Sequence, residues 1–324
     1  MFKLVAGRKV KSCAWMAALL LVVSAAATVP SLRPVKAQGV LSQDQQQTQL
    51  AQRGVNSCLT CHNNPSITSV LATPHGGNAA SGTPAANQAC QNCHGASADH
   101  ASSMQAPAVV FDGGGRFPAS DVEVQNQVCL NCHQSRSTVH WAASEHQAAD
   151  LACATCHTIH TSQTAMRNEL QDEGICLTCH LEQRSQLNRR SHHPVTEGLM
   201  SCNDCHNPHG SDAVAMLSRS TVNATCTSCH AEKRGPFLWE HQPVGEDCTT
   251  CHNPHGSTQD RMLAVRQPFL CQSCHSEVYH PSFLYSGDDI NPNAAGQSVV
   301  GSSCTNCHSV IHGSNHPSGA RLTR

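Results

Sequence analysis

Apolar positions along this chain are sparse, and one run stands apart from the rest, from about residue 14 to residue 29. Lys3, Arg8, Lys9 and Lys11 precede it and small residues follow, with cleavage-compatible sites after Ala37 (VKA-Q) or Ala27 (AAA-T). Cationic, then apolar, then small is the order of a secretory signal. The run is also short of the ~20 residues of a spanning helix. Residues 1–37 are therefore expected to be an export signal, and 38–324 the mature chain. Cys13 lies before the apolar run, which argues against lipid attachment. Further on, short helices are predicted over 121–132, 162–176 and 181–190. No alternating run supports a substantial sheet. The stretches 76–89, 111–120 and 287–298, rich in Gly, Ala, Asn and Pro, read as surface loops.

Composition sharpens the picture. Without its cysteines the apolar share falls from 39 % to about 32 %, under the ~45–50 % of an ordinary domain. With 3 % aromatic residues, these side chains are poorly equipped to build a conventional core. A formal net charge of −2 with 13 % charged residues is not a self-repelling coil. Nor is it the cationic excess of a nucleic-acid binder, so no nucleic-acid partner is expected. Something besides side chains must fill the interior.

Twenty of the 21 cysteines belong to one motif, C-x-x-C-H. It places together Cys58, Cys61 and His62; Cys90, Cys93 and His94; Cys129, Cys132 and His133; Cys153, Cys156 and His157; and Cys176, Cys179 and His180. The second half repeats it with Cys202, Cys205 and His206; Cys226, Cys229 and His230; Cys248, Cys251 and His252; Cys271, Cys274 and His275; and Cys304, Cys307 and His308. The motif is the attachment signature of c-type haem. Two thioethers tether the porphyrin, and the adjacent His is the proximal iron ligand. A disulfide framework or paired zinc sites would also use CxxC pairs, but neither needs a His directly after the second Cys. By composition that residue is His about one time in fourteen, so ten of ten selects haem. Ten haem c groups would supply the missing apolar bulk.

Thirteen histidines remain for the second axial position. A repeated pattern, His before the motif and His after it, occurs in SEHQAADLACATCHTIHTS, RSHHPVTEGLMSCNDCHNPHGS and WEHQPVGEDCTTCHNPHGS, with looser copies near the two ends. It selects His75, His100, His146, His160, His192, His209, His241, His255, His280 and His312 as distal ligands. All ten irons are then expected to be bis-His. His140, His193 and His316 stand in reserve, and H-x-P-V spacing favours His192 while adjacency to Pro favours His193. A rival count includes His140 and makes the first five motifs self-sufficient. Met216 and Met262, in HGSDAVAML and HGSTQDRML, read as repeated packing positions.

First cysteines from Cys129 to Cys271 recur every 22 to 26 residues, which predicts units stacked mainly on their neighbours. A seam near 186–192 divides the mature chain into an N-terminal pentahaem module, 38–188, and a C-terminal one, 189–324.

These motifs, with CNDCHNPHGS, CTTCHNPHGS, GPFLWEHQPVGEDC and the closing CTNCHSVIHGSNHPSG, resemble the MtrA/DmsE family of periplasmic decahaem cytochromes across almost the whole mature chain. The resemblance implies a multihaem cytochrome c fold, mostly irregular with short α-helices and little sheet, elongated, with two tandem pentahaem modules around a haem chain. It also implies partners: an outer-membrane β-barrel porin, an extracellular cytochrome or terminal reductase, and periplasmic or inner-membrane cytochromes.

Three functions follow from the residues. Six-coordinate irons in a row make an electron conduit without a catalytic site. A periplasmic shuttle or store is physically close to it. A multihaem reductase needs an open iron position, which the surplus of His opposes.

Overall fold

The computed structural model describes residues 53–77, 81–111, 115–161, 174–275, 303–317 and 319–323. The export segment 1–37 lies outside them, as do the loop 287–298, most of the predicted helix 162–176, and His280.

Short helices and turns make up the described residues, with no strand among them. Two predicted helices form, slightly shorter than expected. Val122–Leu130 follows Asp121 in extended conformation and carries Glu123 in its first turn, where a negative charge suits the positive end of the helix dipole. Leu181–Leu187 starts from His180 and ends at Asn188. Of the predicted helix 162–176, Gly174–Leu177 is described and helical. Sheet-like pairing is limited to isolated bridges, Ser191 with Ser257, His206 with Leu217, Trp239 with Ser314 and His252 with Leu263.

The conventional core is meagre. Among the described residues the buried apolar side chains are Ala89, Val109, Val128, Trp141, Leu187, Val195 and Leu322. Four more buried side chains are amides, Gln91, Gln125, Asn126 and Gln186, and amides recur as clamps between motifs. Asn126 donates to Leu151 O at 2.9 Å and accepts from Cys153 N at 2.7 Å. Asn223 does the same four motifs further on, donating to Val244 O at 2.8 Å and accepting from Cys248 N at 2.9 Å. Each sits three residues before one motif's first cysteine and fixes the start of the next motif. Gln267 plays a comparable part for Ser303 and Thr305, beside Cys304.

A larger repeat spans two motifs. The segment before one motif docks on the segment after the motif two further along. His146 Nδ1 meets Pro208 O at 2.7 Å, His193 Nδ1 meets Pro254 O at 2.7 Å, and His241 Nδ1 meets Ile311 O at 3.1 Å. Backbone pairing reinforces two of these junctions, between Ser191 and Ser257 and between Trp239 and Ser314. The docking requires glycine after the second histidine. Gly256 has φ +145° and Gly210 φ +102°, and an added Cβ would collide with Gln186 O and His140 O respectively. Only a residue without a side chain allows both that backbone angle and that approach.

Candidate haem-binding sites

Each motif folds as one tight turn. In all ten, the proximal His N–H donates to the carbonyl of the first cysteine at 2.9–3.0 Å. That closure brings both sulfurs and the imidazole onto one short loop, as a doubly tethered, axially ligated porphyrin needs.

The histidines then pair. His62 faces His100 at 5.9 Å between ring centroids, His94 faces His160 at 6.1 Å, and His133 faces His75 at 6.1 Å. His157 faces His209 at 5.8 Å, and His180 faces His146 at 6.0 Å. In the second half His206 faces His255 at 6.0 Å and His230 faces His193 at 6.3 Å. His252 faces His312 and His275 faces His241, both at 6.1 Å. Two imidazoles on opposite faces of one metal, each about 2 Å from it, stand with ring centres about 6 Å apart. In all nine pairs a motif histidine meets one histidine from outside the motifs. The donor set fits a bis-imidazole haem.

Tetrahedral chemistry is not what this geometry offers. Among the described residues no group of three or more His, Cys, Asp and Glu could hold a metal ion, and the twenty described cysteines are unbridged.

Eight of the ten distal histidines selected from the sequence stand opposite a motif histidine. His192 does not. Its Nε2 meets Glu197 at 3.1 Å and its Nδ1 meets Arg189 O at 2.5 Å, while its neighbour His193 faces His230. The carboxylate of Glu197 draws His192 out of the site and, as its chief cause, raises the imidazole's pKa. His140 is likewise occupied elsewhere, with Asp212 at 3.2 Å. His316 lies on the turn after Ser314. The remaining motif histidine is His308, and His280 is outside the described residues.

A histidine beside a motif does not face that motif's own histidine. His146 and His160 bracket the fourth motif, yet they face His180 and His94. A histidine three residues from the proximal ligand cannot reach round to the opposite face of the same iron. The pairs thus join different motifs, and His157 faces a histidine from beyond residue 189.

The protonation of the ligands is prepared by their surroundings. Nδ1 of His94, His206 and His252 meets a backbone carbonyl, from Val109 at 3.2 Å, Ala215 at 2.9 Å and Arg261 at 2.8 Å. His308 meets Arg321 O at 2.6 Å. Donation through Nδ1 leaves Nε2 free for iron and raises ligand basicity. Burial lowers the pKa of His94, His209, His255 and His312, which favours the neutral form that binds metal.

Two of those carbonyls come from strained turns. Ala215 and Met216, and again Arg261 and Met262, adopt φ of 52° to 59°, at a cost of about 1–3 kcal/mol for each residue. The turns also place Met216 O and Met262 O on Asn207 N and Asn253 N, both at 2.7 Å. Met216 and Met262 are thus turn positions more than packing positions, with a left-handed backbone that no glycine in the turn announces.

Consecutive motifs are spatial neighbours. The first cysteines touch in the pairs 58–90, 129–153, 226–248 and 271–304. Second cysteines act on one another in the pairs 93–132, 156–179, 205–229 and 251–274. Between the fifth and sixth motifs, His255 feels the charge of His180.

Known proteins share the repeated motifs. Residues 192–235 and 241–280 match the doubled CXXCH motif family, and residues 90–173 match the cytochrome c-type protein NrfB-like family. The chain is also 41 % identical over 275 residues to the multiheme cytochrome MtrA of Shewanella baltica (strain OS185), covering 84 % of this chain and 82 % of that one.

Proposed function

The chain belongs to the MtrA family of multihaem electron-transfer cytochromes, and from that we propose that it carries ten haem c groups and conducts electrons across an outer membrane inside a β-barrel porin. Haem supplies reversible one-electron chemistry at iron. The polypeptide does the rest. Its twenty motif cysteines fix the macrocycles, and its paired histidines occupy both axial positions, leaving none for a substrate. The Nδ1–carbonyl bonds hold the imidazoles neutral and oriented. Within this reading His280 serves His308. His94, His157, His206 and His252 each face a histidine that follows the motif two further along, and the last motif has no later motif to draw on. The 38–188 and 189–324 modules are joined by the shared site of His157 and His209.

The observation that carries the proposal is the nine histidine pairs on motifs that adjoin in sequence order. No helix among the described residues is long and apolar enough to cross a membrane, so passage through the bilayer would depend on a barrel partner. An export signal at 1–37 would deliver the chain to the periplasm. There it would exchange electrons with periplasmic or inner-membrane cytochromes on one side and an extracellular cytochrome or terminal reductase on the other, in extracellular respiration or iron oxidation.

Mass spectrometry of the exported protein tests the cofactor count, with ten tethered haems expected. Reconstitution with the barrel in vesicles tests the conduit: external reductant should reduce an enclosed acceptor only when both proteins are present. A chain that stays apart from the barrel would be a shuttle. A high-spin haem that binds nitrite would make it a reductase.

A further inference from the structure

The nine histidine pairs are not equivalent. In seven of them at least one imidazole donates its Nδ1–H to a backbone carbonyl. His100 meets Gln105 O at 2.6 Å and His160 meets Ile67 O at 3.0 Å; the others have been described. In the His75–His133 pair neither ring has such an acceptor. His75 Nδ1 is buried with no hydrogen-bond partner, as is His209 Nδ1 in the near-parallel His157–His209 pair, and His133 makes no Nδ1 bond. This pair is also the most crossed. Its ring planes stand at 84°, against 64° for His146–His180 and 12° to 44° for the rest.

Local structure explains the exception. His75 sits in a tight turn of its own, where Gly76 N bonds to Thr73 O at 3.0 Å and His75 N reaches Thr73 Oγ1 at 3.2 Å. The equivalent histidines of later repeats rest on the carbonyl before a downstream distal histidine. His75 has no such junction, so its ring is set by the turn and not by a hydrogen bond.

We infer that the His75–His133 site is the high-potential member of the series, the place where an electron on this protein comes to rest. A carbonyl accepting from Nδ1–H makes an imidazole a stronger donor and stabilises the ferric state. Where that bond is absent on both faces the ferric state loses the support, and reduction becomes easier. Crossed rings act in the same direction, because the two imidazoles no longer share one iron orbital. The inference rests on the bis-imidazole reading given above.

The crossed rings also make the site visible, since perpendicular imidazoles give a low-spin ferric EPR signal far more anisotropic than near-parallel ones. EPR of the intact holoprotein, poised at a series of potentials, reads it directly. The highly anisotropic signal should disappear at higher potential than the near-parallel signals, be absent in His75→Met, and persist in His146→Met. Disappearance together with or after the other signals overturns the inference, as does survival of the signal in His75→Met with loss in His146→Met. Should His75→Met fail to fold, the native titration and His146→Met still decide. Absence of any low-spin ferric signal would instead sink the haem reading itself.

Discussion

His157 and His209 lie face to face, with ring planes 12° from parallel, although the seam between the two predicted modules falls between them. The fourth motif's histidine thus meets a residue that follows the sixth motif. Around this contact His146 reaches Pro208 O, and Asn207 Nδ2 reaches Ser137 O at 3.1 Å. The two predicted halves meet at this pair, so in the bis-imidazole reading neither would have a complete ligand set alone.

That sharing is open to a double-mutant test. Replacing His209 with Ala should convert one haem to high spin, counted by EPR. Adding His157→Ala should leave the number of perturbed haems at one. Two perturbed haems would mean that the residues serve different irons.

The choice between adjacent histidines has its own readout. His193→Ala should produce one high-spin haem, whereas His192→Ala and His140→Ala should leave the low-spin spectrum intact. Those two histidines are engaged by Glu197 and Asp212, exposed pairs of the kind that contribute little to stability.

Gly256→Ala should destabilise the holoprotein by about 1–3 kcal/mol, because φ of +145° and the closeness of Gln186 O leave no room for Cβ. Thermal unfolding followed at the haem absorption band would measure it. Gly245 has open space around it and no positive φ, so Gly245→Ala should be neutral or mildly stabilising.

Asn223→Ala removes the acceptor of Cys248 N and the donor to Val244 O. Leaving these groups unpaired should cost about 1–3 kcal/mol, read as a lower unfolding temperature. Asn126→Ala should have a similar effect at the equivalent clamp.

Electron exchange with small basic periplasmic donors should slow as ionic strength rises. The polypeptide is near neutral, at −2, and the propionates of ten haems would make the holoprotein acidic. Charge of that kind steers encounters and is screened by salt. Stopped-flow rates that do not change between low and high salt would refute it.

Much of the chemistry was legible because haem attachment is local. Five consecutive residues carry the two tethers and one ligand, and ten copies make the motif unmistakable. Helices over Val122–Leu130 and Leu181–Leu187 were legible from apolar spacing and their flanking residues. The distal ligands were only half legible. Repetition identified eight of the histidines that meet a motif histidine, but the same repetition suggested His192, and H-x-P-V spacing carries no information about Glu197. Nothing in HGSDAVAML or HGSTQDRML signals paired left-handed residues, since neither Ala215–Met216 nor Arg261–Met262 contains glycine.

The amino-acid sequence by itself determined what lies within a few residues: the paired cysteines with their adjoining imidazole, the poverty of the side-chain core and the surplus of histidine. Tertiary structure decided which imidazole crosses to which motif, because the far face of a macrocycle is reached only by another part of the chain. Ring angle and Nδ1 acceptor likewise depend on which carbonyl the fold brings near. Spacing in sequence does not encode either quantity, and it is there that otherwise identical sites come to differ.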